Sequence, residues 1–235
     1  GLEPTPEEYC ANMVEVFREV WRVLKPTGTV WINLGDSYSD KQMVGIPWRV
    51  AFALQADGWY LRSDIIWSKP SAMPESVTDR PTKAHEYVFL LTKSPRYYYD
   101  ADAIRETYAP ATLVDARDNE NGQRRDRGFP GSPSVGGTAL GGLRAGGRNK
   151  RTVWEITTQP YPEAHFATYP EKLVEPCIMA GCPQDGVVLD PFVGSGTTLA
   201  VAQRLGRKGI GTDLNEEYLR LASKRLGSIP LPMGI

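Results

Sequence analysis

The chain has 235 residues, enough to bury one sizeable core with room for a small inserted region. A formal net charge of −1 gives no global nucleic-acid signal, and no apolar run approaches the roughly 20 residues that span a membrane. Cys10, Cys177 and Cys182 form no metal pattern and only two histidines are present, which argues against a zinc site and for a reduced, cytoplasmic setting.

Thr5-Pro6-Glu7-Glu8 reads as a helix N-cap, a proline at the first helical position and a capping-box glutamate. Tyr9, Met13, Phe17, Val20 and Leu24 follow at helical spacing until Pro26 and Gly28 stop the pattern. Val30 to Leu34 is a strand, followed by a Gly35-Asp36 loop. A second helix runs from about Pro47 to Ala56 and ends at Gly58. Trp59 to Trp67 and His85 to Leu91 are strands separated by a Pro-rich loop, Ser68 to Pro81. With little between them, these two strands suggest an antiparallel pair at a sheet edge.

From about Tyr108 to Arg151 neither helical nor strand period persists. Gly, Pro, Ser, Arg and Asp dominate, and Ala111 to Arg151 holds eight Arg or Lys against four Asp or Glu. Helical pattern returns at Pro170 to Ala180 and again at Glu216 to Leu226. Strands alternating with helices imply a doubly wound α/β sheet.

The densest chemistry lies between Val187 and Asp213. Val187, Val188 and Leu189 form a short buried-strand run ending at Asp190. Gly194 and Gly196 allow a tight turn, Thr197 and Thr198 open a helix closed by Gly206, and a second strand through Ile210 ends at Asp213. One β-α-β unit thus carries an acid at the tip of each strand. Such a unit holds a nucleoside between loop backbone and a carboxylate for the ribose hydroxyls. A Walker loop would need a lysine after the turn, and a dinucleotide fingerprint would want Gly or Ala at Leu199. Asp190 would also repel a pyrophosphate. It suits a cationic ligand instead, such as the amino group and sulfonium of S-adenosylmethionine.

The run Asp190 to Thr198, DPFVGSGTT, resembles the cofactor motif of the amino-group DNA methyltransferases, which modify adenine N6 or cytosine N4. The order resembles the permuted members, in which the catalytic half precedes the cofactor half. Four further stretches match in order: Thr29 to Tyr38 (TVWINLGDSY), Trp67 to Pro70 (WSKP), Arg80 to Lys93 (RPTKAHEYVFLLTK) and His165 to Leu173 (HFATYPEKL). The resemblance implies a mostly parallel, Rossmann-like sheet with one antiparallel strand near its edge. It divides the chain into a catalytic-side half at 1–107, a Gly/Arg-rich target-recognition insertion at 108–164 and an S-adenosylmethionine-binding half at 165–235.

By the same resemblance, Asp190 meets the methionine amino group, and Pro191 and Phe192 shape an apolar wall. Gly194, Ser195, Gly196 and Thr197 supply loop contacts. Asp213 binds the ribose hydroxyls or, alternatively, is a helix N-cap before Asn215. Tyr169 lies in the stretch covering the methionine end, where Lys172 either contacts the carboxylate or stays solvated. Asp36 is either a pocket residue or a turn residue. Lys69, Arg80, Lys83 and His85 should face a DNA cleft, with Glu86 a structural partner for one of them. Trp31 and Trp67 read as core. Arg124, Arg125, Arg127, Arg144, Arg148, Lys150 and Arg151 are candidates for phosphate and base-edge contacts.

The family's catalytic motif, Asp/Ser/Asn-Pro-Pro-Tyr/Phe/Trp, does not occur in the chain. It is expected before Gly1, together with a central strand beside the one ending at Asp190; a complementing second chain is the alternative. The function implied is site-specific methylation of a flipped base, with cytosine N4 favoured and adenine N6 the alternative. RNA, protein or small-molecule methylation fits the insertion less well, and an inactive chain binding cofactor or DNA is the reading from another class. The expected partner is DNA, with or without a cognate restriction enzyme, and the chain is expected to be a monomer or homodimer of bacterial, archaeal or phage origin.

Overall fold

Helix α1 (Pro6–Val23) begins where Thr5 caps it, its hydroxyl accepting from the Glu8 N–H at 3.2 Å, with Pro6 in the first turn. A computed structural model describes residues 3–108, 146–158 and 169–227. After α1 come β1 (Thr29–Leu34), a hairpin of β2 (Tyr38–Ser39) and β3 (Gln42–Met43), α2 (Ile46–Ala56), β4 (Tyr60–Ser68) and β5 (His85–Thr92). Then follow β6 (Val153–Glu155), α3 (Glu171–Gly181), β7 (Val187–Asp190), α4 (Thr197–Arg204), β8 (Lys208–Gly211) and α5 (Glu216–Gly227).

The larger sheet has the order β1-β5-β4-β6. β5 is antiparallel to both β1 and β4, and β4 is parallel to β6. Three of its strands therefore share one direction and β5 alone is reversed. The expected antiparallel pair is present but is not at the edge of this sheet. β5 is flanked on both sides, and β6 occupies the outer edge of β4.

Alternation along β5 buries both of its faces. Phe89 and Leu91 pack with Met13 and Phe17 of α1 and Val50 and Leu54 of α2. Val88 and Leu90 turn the other way, onto Ile65, Trp67, Trp154, Leu173 and Cys177. Trp67 is a core residue whose indole donates to the Ile156 carbonyl at 2.8 Å. Trp31 is half-buried and lies 6.4 Å from the Tyr99 ring in a stacked arrangement.

β7 and β8 form a parallel pair through α4, in register from Val187 opposite Lys208 to Asp190 opposite Gly211. Ile178, Cys182, Val201 and Ala202 seal one face of this unit. On the strands themselves Val187, Leu189 and Ile210 stay exposed.

The chain divides into two compact units, Gly1–Asp100 with Arg151–Ile235, and Ala101–Lys150. In the second, Glu106 and Arg148 exchange two backbone hydrogen bonds of 2.9 Å, so the described ends of the unit are stitched together. Gly147 sits at φ +111°, where a Cβ would lie 2.2 Å from the Glu106 carbonyl oxygen, and only glycine fits that crossing.

Candidate functional site

Asp190, the last residue of β7, is held on both carboxylate oxygens. Oδ1 accepts from the Phe192 N–H at 3.0 Å and Oδ2 from the Tyr169 hydroxyl at 3.1 Å. The Tyr169 oxygen also lies 2.6 Å from Thr198 Oγ1. Burial and then the neighbouring Asp190 charge push the Tyr169 phenol up, so it remains a protonated donor at physiological pH.

The loop beyond Asp190 turns on two left-handed glycines, Gly194 at φ +48° and Gly196 at φ +81°. A Cβ on Gly196 would come within 3.0 Å of Ala222 on α5, so this glycine also permits close helix packing. A Cβ on Gly194 would meet nothing nearer than 4.0 Å, which leaves space above the loop. Ser195 and Thr197 are buried. Arg225 of α5 donates to the Thr197 hydroxyl at 3.0 Å and to Glu171 of α3 at 2.7 Å, and Glu171 also pairs with Arg204 of α4. Burial opposes ionisation of Glu171, but the two guanidinium groups hold its carboxyl below the usual range.

Asp213, two residues past β8, braces the same loop. Its Oδ2 accepts from the Gly194 N–H and its Oδ1 from the Asn215 N–H, both at 2.9 Å. The side chain of Asn215 takes the Glu217 N–H at 2.9 Å, so Asn215 rather than Asp213 is the residue that caps α5. Leu214 is fully exposed beside Asp213, and Phe192 is exposed on the loop. The motifs in the sequence do not single out Leu214; its only signal there is an apolar residue after a strand-tip acid with no place in a core. Two carboxylates, loop N–H groups and exposed apolar side chains suit a ligand with a cationic end, a diol and a flat ring.

At the carboxyl end of β1 the picture is different. The Asp36 side chain is only 4% exposed, and its Oδ1 accepts from the N–H groups of Ser37, Gly45 and Ile46 at 2.9, 2.9 and 3.0 Å. Lys83 stands 3.7 Å from its Oδ2. Asp36 thus caps α2 across the hairpin. Lys69 pairs with Glu86 and lies 4.3 Å over the Trp67 ring, and Asn33 donates to Glu86 at 3.1 Å. Arg80 pairs with Glu75 at 2.5 Å and lies 4.0 Å over the Tyr38 ring. Each of these three cations therefore has an internal partner.

A family model described as DNA methylase matches residues 2–224. The Type II methyltransferase M.SmaI of Serratia marcescens is 41% identical, covering 96% of this chain and 76% of that protein. M.SfiI of Streptomyces fimbriatus, also a Type II methyltransferase, is 30% identical over 93% of this chain and 79% of its own length.

The chain belongs to the N6/N4 DNA methylase family. Two solved structures share its fold. The cytosine-N4-specific PvuII DNA methyltransferase gives a TM-score of 0.70 at 20% identity, covering 97% of this chain and 73% of that one. M1.HpyAVI in complex with SAM gives 0.59 at 21% identity, covering 91% and 81%.

The methylase is a DNA amino-methyltransferase, and the donor set at the tips of β7 and β8 fits S-adenosylmethionine. Pro191 and Phe192 continue from Asp190 into the loop, and Lys172 is exposed on α3 with no hydrogen bond or ion pair among the described residues. Of the residues expected to meet DNA, Arg148 and Lys150 stand 3.3 and 3.9 Å from the Glu106 carboxylate, and Arg151 is exposed. Arg124, Arg125, Arg127 and Arg144 lie outside the described residues, as does His165 at the head of the HFATYPEKL stretch. No described helix is long and apolar enough to cross a membrane.

Proposed function

We propose that this methylase transfers a methyl group to cytosine N4 at a specific DNA sequence, and that residues 1–235 supply the cofactor site and part of the DNA cleft. The observation that carries the reading is the paired carboxylate arrangement at the ends of β7 and β8. Asp190 is aimed by Tyr169 and Asp213 is tied to Gly194, in a chain of DNA-methylase sequence. The preference for cytosine N4 is supported by the likeness to a cytosine-N4-specific fold. S-adenosylmethionine supplies the electrophilic methyl group. The role of Asp190 and Asp213 is to orient its amino and ribose ends, with Phe192 and Leu214 beside its apolar parts.

The exocyclic amine is a weak nucleophile because its lone pair is delocalised into the ring, so groups that accept its hydrogens must lie close to the methyl donor. The Asp/Ser-Pro-Pro-Tyr/Trp motif that would do this is absent from the chain. We assign it to a further strand between β1 and β7, in the permuted family order. Both strands end their sheets without a partner on the outer edge among the described residues. The segment 108–164 is the proposed target-recognition insertion. A cognate restriction enzyme, a monomeric or homodimeric state and a cytoplasmic location complete the proposal.

The test is nucleoside mass spectrometry of mixed-sequence DNA incubated with the full-length protein and S-adenosylmethionine. N4-methylcytosine supports the reading and N6-methyladenine replaces it with the adenine alternative. Intact cofactor and DNA binding without either product would make the chain a non-catalytic binder.

A further inference from the structure

We propose that Met73 is the side chain that enters the base stack of the duplex at the position the target base vacates. The inference rests on the reading that the methylase acts on a base flipped out of DNA. Met73 is 86% exposed. The other most exposed large apolar side chains lie on helices or strands or beside the cofactor loop. Val23 and Phe52 are on the outer helices, Met43 is paired in the β2–β3 hairpin, Val153 is on β6, Phe192 and Leu214 flank the cofactor loop, and Val187 and Ile210 lie on the open strands. Met73 instead stands in the loop that joins β4 to β5. That loop and the β2–β3 hairpin follow the carboxyl ends of β4 and β1, the edge where a largely parallel sheet carries its ligands.

This loop is braced although its methionine is bare. Its base is closed by the Lys69 N–H donating to the Ala84 carbonyl at 2.8 Å, and the Ala72 N–H returns to the Lys69 carbonyl at 3.1 Å. Arg80 joins Glu75 and the Pro81 carbonyl while covering the Tyr38 ring. Lys41 at the hairpin tip reaches Asp79 at 3.2 Å. Pro70 and Pro74 restrict the backbone on either side of Met73. An exposed apolar side chain on a loop closed at its base and held along its flank is placed to insert rather than to fold away. Methionine suits insertion because it is unbranched and polarisable, and it is among the side chains that wedge between base steps.

The experiment uses the full-length protein and a duplex carrying its recognition sequence, found first by mapping methylated positions in plasmid DNA. Met73→Ala should lower turnover on the paired duplex about tenfold, and should leave it within about twofold of wild type when the target base faces an abasic site and needs no unpairing. Fluorescence of 2-aminopurine placed at the target should rise less on binding Met73→Ala than on binding wild type, and Met73→Leu should restore both signals. Cofactor affinity and melting temperature should not move. Equal rates on the paired duplex, equal losses on both duplexes, or a fall in melting temperature would each overturn the wedge, the last by placing Met73 in internal packing. Failure of the wild-type protein to methylate any DNA would instead overturn the reading beneath it.

Discussion

The backbone N–H of Gly194 donates to the Asp213 carboxylate at 2.9 Å, so the loop after β7 and the tip of β8 are one piece. The same carboxylate that is proposed to receive the ribose therefore also sets the loop that receives the methionine end. Asp213→Ala removes both. It should weaken S-adenosylmethionine binding tenfold or more, about 1.4 kcal/mol, as measured by calorimetry. Unchanged affinity would remove Asp213 from the site.

Tyr169→Phe deletes the hydroxyl that aims Asp190 but keeps the ring. Cofactor affinity should fall roughly three- to tenfold, and stability by about 1 kcal/mol, the ordinary net worth of a hydrogen bond. Asp190→Ala should do more harm to binding. If Tyr169→Phe binds as tightly as wild type, the phenol does not position the carboxylate.

Asp36 separates a structural from a catalytic-side role cleanly. Asp36→Ala strands three backbone N–H groups and Lys83, and should cost about 2–4 kcal/mol. Thermal melting should register this as a loss of several degrees, with cofactor affinity unchanged in the fraction that stays folded. A variant that melts like wild type yet transfers no methyl group would put Asp36 against the target base instead.

Glu171 couples the cofactor half to acid. Its carboxyl is held low in the folded chain, so its contribution to stability is present above the unfolded value of about 4.3 and is lost as pH falls through the folded value. Glu171→Gln should therefore be less stable than wild type at neutral pH, with the gap closing as the pH falls through that acid range. Melting curves from pH 7 down to about 3 test it, and a gap that stays constant with pH would mean the arginines do not sense the charge.

Neutralising Arg124, Arg125 and Arg127 together should leave cofactor affinity intact, weaken DNA binding and flatten its dependence on salt, because fewer phosphate contacts release fewer counterions. A salt slope equal to that of the parent would mean that these side chains do not touch the backbone.

What could be read from sequence was local. Thr5 and Pro6 announce the start of α1 because a cap needs only its own first turn. The β-α-β unit was legible because strand, glycine turn, helix and second strand follow one another without a break from Val187 to Asp213. The strands near 30–34, 59–67 and 85–91 were legible as apolar runs, yet their neighbours were not. Burial tells that β5 is an inner strand face, while its pairing with both β1 and β4 joins residues far apart in the chain. β2, β3 and β6 were missed because two or three residues are too few to show a period. The fate of the charged side chains was decided only by tertiary structure. Asp36 meets the amides of Gly45 and Ile46 because a hairpin folds between them, Lys69 meets Glu86 across paired strands, and Arg225 reaches Thr197 from another helix. Sequence determines that a carboxylate or a guanidinium is available; which donor or acceptor it faces depends on contacts between distant segments, and those exist only once the sheet has closed.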